Sequence, residues 1–375
     1  MNCRFCGKTR TSPPDFILNN QPLSAQGFST SALAARETRS IRIFECYGCG
    51  LTQHADEPVA YYKDVIRATG VSHELEKFKK EQLSTWVSTK KLANAPILEI
   101  GSGAGDFLDI LRSVGCTDLY GLEHSHYGFN ELKSKGYQCF QGYLDHNFVS
   151  PWPHQFQGVV CFNFLEHWPN LKDGLTCLKQ LIAPGGHGII EVPNFSYILQ
   201  SNLFAEFTTD HIYYFDECSL NMVLSSVGLN VQSIKTIWND YILCAEVARP
   251  SSKDFSKFES HRQSTQKLME LFFKEHAGNL AVWGAGHQAL SLLSMVEADR
   301  YVDVVIDSAP FKQESLCPGT GIPVFSPTKL TTIRPEKMLV MGGSYSSEIV
   351  NTIQTEHHYI KEIFVFKENS IDKVS

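Results

Sequence analysis

The chain has 375 residues, 43% hydrophobic and 19% charged, with a formal net charge of −7. At ~100–200 residues per domain, that length implies two or three domains, each able to bury its own core. The negative balance argues against nucleic acid or an anionic membrane as the main partner, and no apolar run reaches the ~18–20 residues of a membrane span.

The N-terminal Met-Asn-Cys-Arg-Phe-Cys lacks the charged-then-apolar order of a signal peptide. Of the eleven cysteines, four form two C-x-x-C pairs, Cys3/Cys6 and Cys46/Cys49, each followed by glycine. The other seven lie singly within regular-looking elements, a usage that suits a reducing compartment, so a cytoplasmic location is expected. Two thiolates three residues apart bind one Zn²⁺ from a tight turn, and two such knuckles supply a closed, structural tetrahedral site. The 39 residues between the pairs exceed the ~15–20 of a compact zinc ribbon, so the loop must carry structure of its own.

The apolar run Ile97, Leu98 and Ile100 reads as a buried strand, Gly101 to Gly105 as a glycine turn, and Asp106 to Val114 as a helix. Such an entry lets backbone N–H groups approach a nucleotide-like ligand closely. Glu99 ahead of the turn gives E-x-G-x-G-x-G, a pattern better suited to the cationic tail and sulfonium of S-adenosylmethionine than to a pyrophosphate. A second strand, Leu119–Leu122, ends at Glu123, 18 residues past Gly105, where a carboxylate would bind ribose hydroxyls. The predicted cofactor residues are Glu99, Gly101, Ser102, Gly103, Ala104, Gly105, Glu123 and Asn163. Further strands over Gln157–Phe162 and Gly188–Val192 flank a helix over Leu175–Ile182 that Pro184-Gly185-Gly186 ends, continuing a doubly wound α/β order. After a polar stretch from about Pro250 to Gln266, a second α/β pattern begins. It has a strand at Leu280–Trp283, a turn at Gly284-Ala285-Gly286, a helix over His287–Met295 and a strand ending at Asp307.

The segments LEIGSGAGDFL, YGLE, FNFLEHWPNL, LIAPGG and EVPN resemble the successive motifs of class I methyltransferases. The whole arrangement, from Cys3 to about Phe366, resembles the sugar C-methyltransferase family. That resemblance implies a zinc-binding module over residues 1–60, a Rossmann-like methyltransferase domain over 61–250 and a Rossmann-like domain over 267–375. It also implies S-adenosylmethionine as cofactor, structural zinc, and a small nucleotide-linked ketosugar as substrate. In the third domain, Asp307 to Gln313 and Pro318-Gly319-Thr320-Gly321 carry the resemblance, and the glycine turn is a candidate diphosphate contact or a purely architectural feature.

For catalysis, His211 beside Asp210 is the sharpest acid–base candidate. Methylating a carbon next to a ketone requires removal of the α-proton, and histidine titrates near neutrality. The family has a comparable Glu-His pair, preceded by a tyrosine where this chain has Thr208. A plain capping role for Asp210 and His211 is the competing reading. His167, after Glu166, stands where methyltransferases often place a residue facing the transferred methyl. Tyr61, Tyr62, Tyr213 and Tyr214 are candidate pocket aromatics, and Lys63 and Arg67 candidate diphosphate contacts. The rival functions are O- or N-methylation of another small molecule and, more distantly, a non-catalytic zinc-containing scaffold or nucleic-acid binder.

Overall fold

The computed structural model describes residues 1–23, 36–59, 71–251, 253–368 and 370–375. Tyr61, Tyr62, Lys63 and Arg67 lie outside the described residues. The chain divides into two compact units, residues 1–252 and 253–375.

The first unit opens with the antiparallel strands β1 (Phe16–Pro22), β2 (Thr38–Glu45) and β3 (Thr52–His54). Helix α1 (His73–Lys90) starts where the Ser72 side chain accepts the Leu75 N–H, has Glu74 and Glu76 in its first turn, and stops at Lys91 in a left-handed conformation. Alternation follows: β4 (Ile97–Ile100), α2 (Asp106–Ser113), β5 (Leu119–Glu123), α3 (His126–Ser134), β6 (Gln138–Gln141), β7 (Phe156–Phe162), α4 (Leu171–Leu181), β8 (Ile182–Pro193) and α5 (Phe195–Gln200). The unit closes with β9 (Tyr213–Tyr214), α6 (Glu217–Ser226), β10 (Asn230–Ile237) and β11 (Ile242–Ala248).

Seven of these strands form one sheet in the order β10-β11-β8-β7-β4-β5-β6, with β11 antiparallel to both neighbours and the others parallel. This is the doubly wound order 3-2-1-4-5-6 with one antiparallel strand inserted before the last. One face packs Leu98, Ile100, Val159, Cys161, Ile190 and Val192 into the larger apolar cluster, and the other packs Ile97, Val160, Phe162 and Ile189 beneath α1 and α2. The fourth strand of the N-terminal sheet is β9, which pairs with β3 rather than with the large sheet.

The sequence places a turn at Pro184-Gly185-Gly186, whereas α4 stops at Leu181 and β8 runs unbroken from Ile182 to Pro193. The Gly185 N–H donates to the Arg249 carbonyl and the Arg249 N–H to the Gly186 carbonyl. Pairing with the segment after β11 thus draws the Pro-Gly-Gly run into the sheet.

In the second unit, helix α7 (Ser256–Glu275) begins within the stretch that reads as a polar connection. Glu259 accepts from Arg262 and Gln263, pairs three and four residues apart that support a solvated helix face. Then come β12 (Leu280–Trp283), α8 (His287–Met295), β13 (Val304–Ile306), β14 (Ser315–Leu316), β15 (Pro323–Phe325), α9 (Leu330–Ile333), β16 (Lys337–Val340), α10 (Ser346–Glu356), β17 (Glu362–Lys367) and β18 (Ser370–Lys373). They build a seven-stranded sheet ordered β14-β15-β13-β12-β16-β17-β18, parallel inside and antiparallel at both edges.

Beneath α1 the first unit buries an ion pair. Lys79 on α1 meets Glu191 on β8, both at most 1% exposed, and Gln82 donates to the second Glu191 oxygen at 2.6 Å. The Lys79 ammonium also lies 4.5 Å from the Phe162 ring centroid. Breaking a buried pair leaves an uncompensated charge and costs about 3–5 kcal/mol. Lys79→Met is therefore expected to lower the unfolding free energy by about that amount, and Lys79→Met with Glu191→Leu to recover most of it, as read by urea denaturation.

Candidate functional site

In a doubly wound sheet the ligand crevice lies beyond the carboxyl ends of the strands, where the strand order reverses, here between β4 and β7. Two short segments meet at that point. One leaves β4 as the turn Gly101-Ser102-Gly103-Ala104-Gly105, and the other leaves β7 through Asn163 into a tight turn at Leu165–His167.

The first segment depends on glycine. Gly101, Gly103 and Gly105 have φ of 70°, 52° and 85°, backbone that side-chain-bearing residues rarely adopt, and a Cβ at Gly103 would meet nothing within 4 Å. The backbone is thus open to a ligand at Gly103. Glu123, at the end of β5, accepts the Gly103 N–H at 2.8 Å with one oxygen and the Ser125 N–H at 2.8 Å with the other. That grip ties the turn to the neighbouring strand and leaves each oxygen further acceptor capacity for a pair of hydroxyls. Ser102 turns inward, its hydroxyl donating to the Leu122 carbonyl at 3.3 Å. Glu99 is buried in β4 on the face shared with Ile97 and Val160, at 1% exposure. Asn163 is exposed, holds φ 47°, and donates its N–H to the Glu191 carbonyl at 2.8 Å. These residues fit a ligand with a vicinal diol and a polar tail, held through backbone and Glu123 rather than through the Ser102 side chain.

The second segment brings the candidate catalytic residues together. The His167 Nδ1 lies 2.8 Å from the Asp210 carbonyl oxygen, and the His167 and His211 rings are edge to face with centroids 4.9 Å apart. A carbonyl only accepts, so His167 Nδ1 carries the proton and Nε2 presents its lone pair. Asp210 therefore engages His167 through its main chain. Its carboxylate, 2% exposed, leaves Oδ1 without a hydrogen-bond partner. His211 is half-buried, and desolvation lowers its pKa although Asp210 and Glu206 pull the other way. His167 is fully buried and falls to about 3 through desolvation and the neighbouring His211. Both imidazoles are thus neutral near pH 7.

Sequence reasoning passed over Glu166. It is 1% exposed, its Oε1 lies 4.0 Å from His167 Nε2, and its Oε2 has no hydrogen-bond partner. Burial raises its pKa to about 8, and the nearby Asp210 adds to the shift. The signal available was a carboxylate in the loop after a buried strand at the switch point.

A capping role for Asp210 and His211 does not survive the geometry: the N-cap of α6 is Asp216, which forms a reciprocal capping box with Ser219. Tyr213 and Tyr214 are core residues at 1% and 3% exposure, and the Tyr213 hydroxyl donates to the Pro169 carbonyl at 3.1 Å.

The four cysteines of the knuckles converge. Cys3 and Cys49 sulfurs are 3.7 Å apart, Cys6 and Cys46 sulfurs 3.5 Å, and the four form one cluster. With metal–sulfur bonds of ~2.3 Å, tetrahedral thiolates stand roughly 3.8 Å apart, so the donor set fits zinc. Backbone N–H groups of Cys6 and Gly48 and the Gln53 amide donate to these sulfurs. Against burial, which raises it, such hydrogen bonds bring the Cys46 thiol down to about 7.

In the second unit the Gly284 turn is held by Asp307, which accepts from Ala285 N–H at 2.8 Å, Ala309 N–H at 2.9 Å and Lys312 Nζ at 3.0 Å. Its carboxylate already serves the turn itself.

Gly128 is packed directly against the glycine turn and Glu123. A Cβ there would stand 2.7 Å from the Gly103 carbonyl oxygen and 2.8 Å from Glu123 Cγ. Gly128→Ala is expected to displace Glu123 from the turn and cost about 1–3 kcal/mol, measured by thermal or urea unfolding.

Residues 71–234 match the family model described as a methyltransferase domain, and residues 247–365 that described as a C-methyltransferase C-terminal domain. Curated protein sequences give no match. Similar solved structures include an S-adenosylmethionine-dependent methyltransferase from Mesorhizobium loti (12% identity, 45% of this chain and 100% of that one, TM-score 0.37). Another is the magnesium protoporphyrin IX methyltransferase of Synechocystis PCC 6803 with bound SAH (14% identity, 49% and 90%, TM-score 0.39). A third is the N-methyltransferase NodS of Bradyrhizobium japonicum WM9 in complex with S-adenosyl-L-homocysteine (14% identity, 49% and 94%, TM-score 0.37). The two adjoining family matches fall on the sheet with the glycine turn and on the unit that follows it: the chain is a class I S-adenosylmethionine-dependent methyltransferase with a C-methyltransferase C-terminal domain.

Proposed function

We propose that the enzyme methylates carbon, next to the ketone of a nucleotide-linked deoxysugar, with His211 as the base. The observation that carries the carbon chemistry is the C-methyltransferase C-terminal domain over residues 247–365. It is supported by a neutral imidazole, His211, beside the crevice at the strand-order reversal.

The bound cofactor supplies an electrophilic methyl group and leaves as S-adenosylhomocysteine. The chain's own residues do the rest. Glu123 and the open backbone of Gly103 hold the cofactor's ribose and tail. His211 takes the proton from the carbon next to the ketone, and the C–H electron pair becomes the enolate that bonds to the methyl carbon. The proton leaves with His211 and passes to solvent. Asp210 keeps negative charge beside the imidazolium that forms, and its main-chain oxygen fixes the His167 ring that packs against His211. Thr208 stands where the sugar family has a tyrosine, and its buried Oγ1 has no partner in the free protein. A threonine leaves more room than a tyrosine, so the acceptor is expected to be bulkier at that edge. The cysteine cluster holds structural zinc and carries no chemistry.

His211→Ala is expected to abolish methyl transfer and the exchange of deuterium into the carbon next to the ketone. S-adenosylhomocysteine affinity by calorimetry should stay within about twofold, because His211 touches none of the groups that hold the cofactor. Turnover retained in this variant sinks the base assignment. Binding of cofactor without deuterium exchange in the wild type moves the reaction to oxygen or nitrogen. Stripping metal from the cysteine cluster is expected to raise amide hydrogen exchange at Ile212 and Tyr213 more than in β4 or β7, since β3 anchors that segment.

A further inference from the structure

Glu166 is the residue that the proposed reaction leaves without a task. It sits at a point where three donor atoms converge: one each from Glu166, His167 and His211 lie within 4.8 Å of one another. His167 is held by its Nδ1–H on the Asp210 carbonyl, which aims the lone pair of Nε2 at this point. An imidazole whose far nitrogen donates to a carbonyl is the arrangement that orients metal-ligating histidines. The turn holding Glu166 and the segment holding His211 are fixed to each other as well, because the Ile212 N–H donates to the Glu166 carbonyl at 2.8 Å.

The buried carboxyl groups here are incompletely satisfied. Glu166 and Asp210 are 1% and 2% exposed, and Glu166 Oε2 and Asp210 Oδ1 have no hydrogen-bond partner. Among the described residues no lysine or arginine pairs with either; their basic neighbours are the imidazoles of His167, 4.0 Å from Glu166, and of His211, which feels the Asp210 carboxylate. Contrast Glu191, equally buried in the same unit, which has Lys79. A buried polar oxygen without a partner costs free energy that a ligand at this point would offset.

We propose that Glu166, His167 and His211 bind a divalent transition-metal ion. His167 ligates through Nε2, Glu166 through its carboxylate and His211 through a ring nitrogen, with the remaining positions left to water or substrate oxygen. Two imidazoles and one carboxylate select zinc, iron(II), cobalt or nickel over magnesium and calcium, which demand oxygen donors. Bonds of ~2.0–2.1 Å would draw the donors to roughly 3–3.5 Å apart, a contraction within reach of side-chain rotation at Glu166 and at the half-buried His211. Metal on His211 occupies the lone pair that a base needs, so the ion switches turnover off. That consequence rests on the proposed base; the binding does not.

The probe is cobalt(II) added to the full-length chain, read by metal content and by absorbance. Thiolate-bound cobalt at the cysteine cluster shows sulfur-to-metal charge transfer, and cobalt bound by nitrogen and oxygen does not. The wild type is expected to take up one equivalent without that absorption. His211→Ala and His167→Ala should lose this equivalent and keep the thiolate-bound one. Glu166→Gln should weaken it by about tenfold or more. Circular dichroism and retention of the thiolate-bound cobalt show that each variant is folded, and should buried His167 prove necessary for folding, His211→Ala decides alone. Wild-type protein that binds cobalt only through sulfur overturns the proposal, as does His211→Ala retaining the second ion. If His211→Ala abolishes methyl transfer while the wild type holds no such cobalt, the base stands and the metal site falls. If cobalt binds and His211→Ala still turns over, the metal site stands and the base falls.

Discussion

The backbone of Ile212 is held from both sides, and the geometry of the candidate site depends on that. Its N–H donates to the Glu166 carbonyl, in the turn that leaves the large sheet, and its carbonyl accepts the His54 N–H from the N-terminal sheet. One residue earlier is His211; one and two later are Tyr213 and Tyr214, which pair with Gln53 and Thr52 of β3. The histidine proposed as base is therefore positioned by hydrogen bonds to two different sheets. Neither sheet alone determines where its ring lies.

That arrangement gives the cysteine module a physical reason to be part of this enzyme. Gln53 is fully buried and donates its amide to the Cys3 sulfur at 3.1 Å, while its backbone pairs with Tyr213. The His54 ring lies 3.0 Å from the Thr208 carbonyl, so its Nε2 must carry the proton, and burial keeps this imidazole neutral by lowering its pKa to about 4. Both ends of the segment Thr208–Tyr214 thus hang from β3, and β3 begins three residues after the last cysteine of the cluster. The cysteine cluster is thus tied to β3 through Gln53, and β3 holds the histidine in register.

Much of the fold was legible because local rules and global topology agree there. Asp106 to the end of α2 and His287–Met295 as α8 follow from apolar periodicity and punctuating residues. The glycine turn and Glu123 were legible for the same reason: positive φ at three positions and a carboxylate at the next strand end leave few alternatives. The strand Ile182–Pro193 was hidden because Pro-Gly-Gly is a turn by local preference, and only pairing with Arg249, more than sixty residues later, overrides it. Helix α7 was hidden by a polar composition that its own side-chain pairs stabilise. The pairing of β3 with β9 had no local signature at all, since it joins segments some 160 residues apart.

Asp210 shows where residue type misleads about role. Its carboxylate next to a histidine suggests a hydrogen-bonded dyad, the usual way to orient an imidazole and raise its basicity. The group that orients a ring here is the Asp210 carbonyl, and the ring it orients is His167. The carboxylate acts on His211 through charge alone, against a desolvation that lowers the imidazole's pKa. Such a residue tolerates replacement of its side chain by another acid more readily than a hydrogen-bonded dyad would, because the charge is kept while no bond geometry must be matched. That is consistent with aspartate standing where the sugar family carries glutamate: the shorter side chain changes the reach of the carboxylate, and reach matters little to a field that acts across a buried, weakly screened pocket.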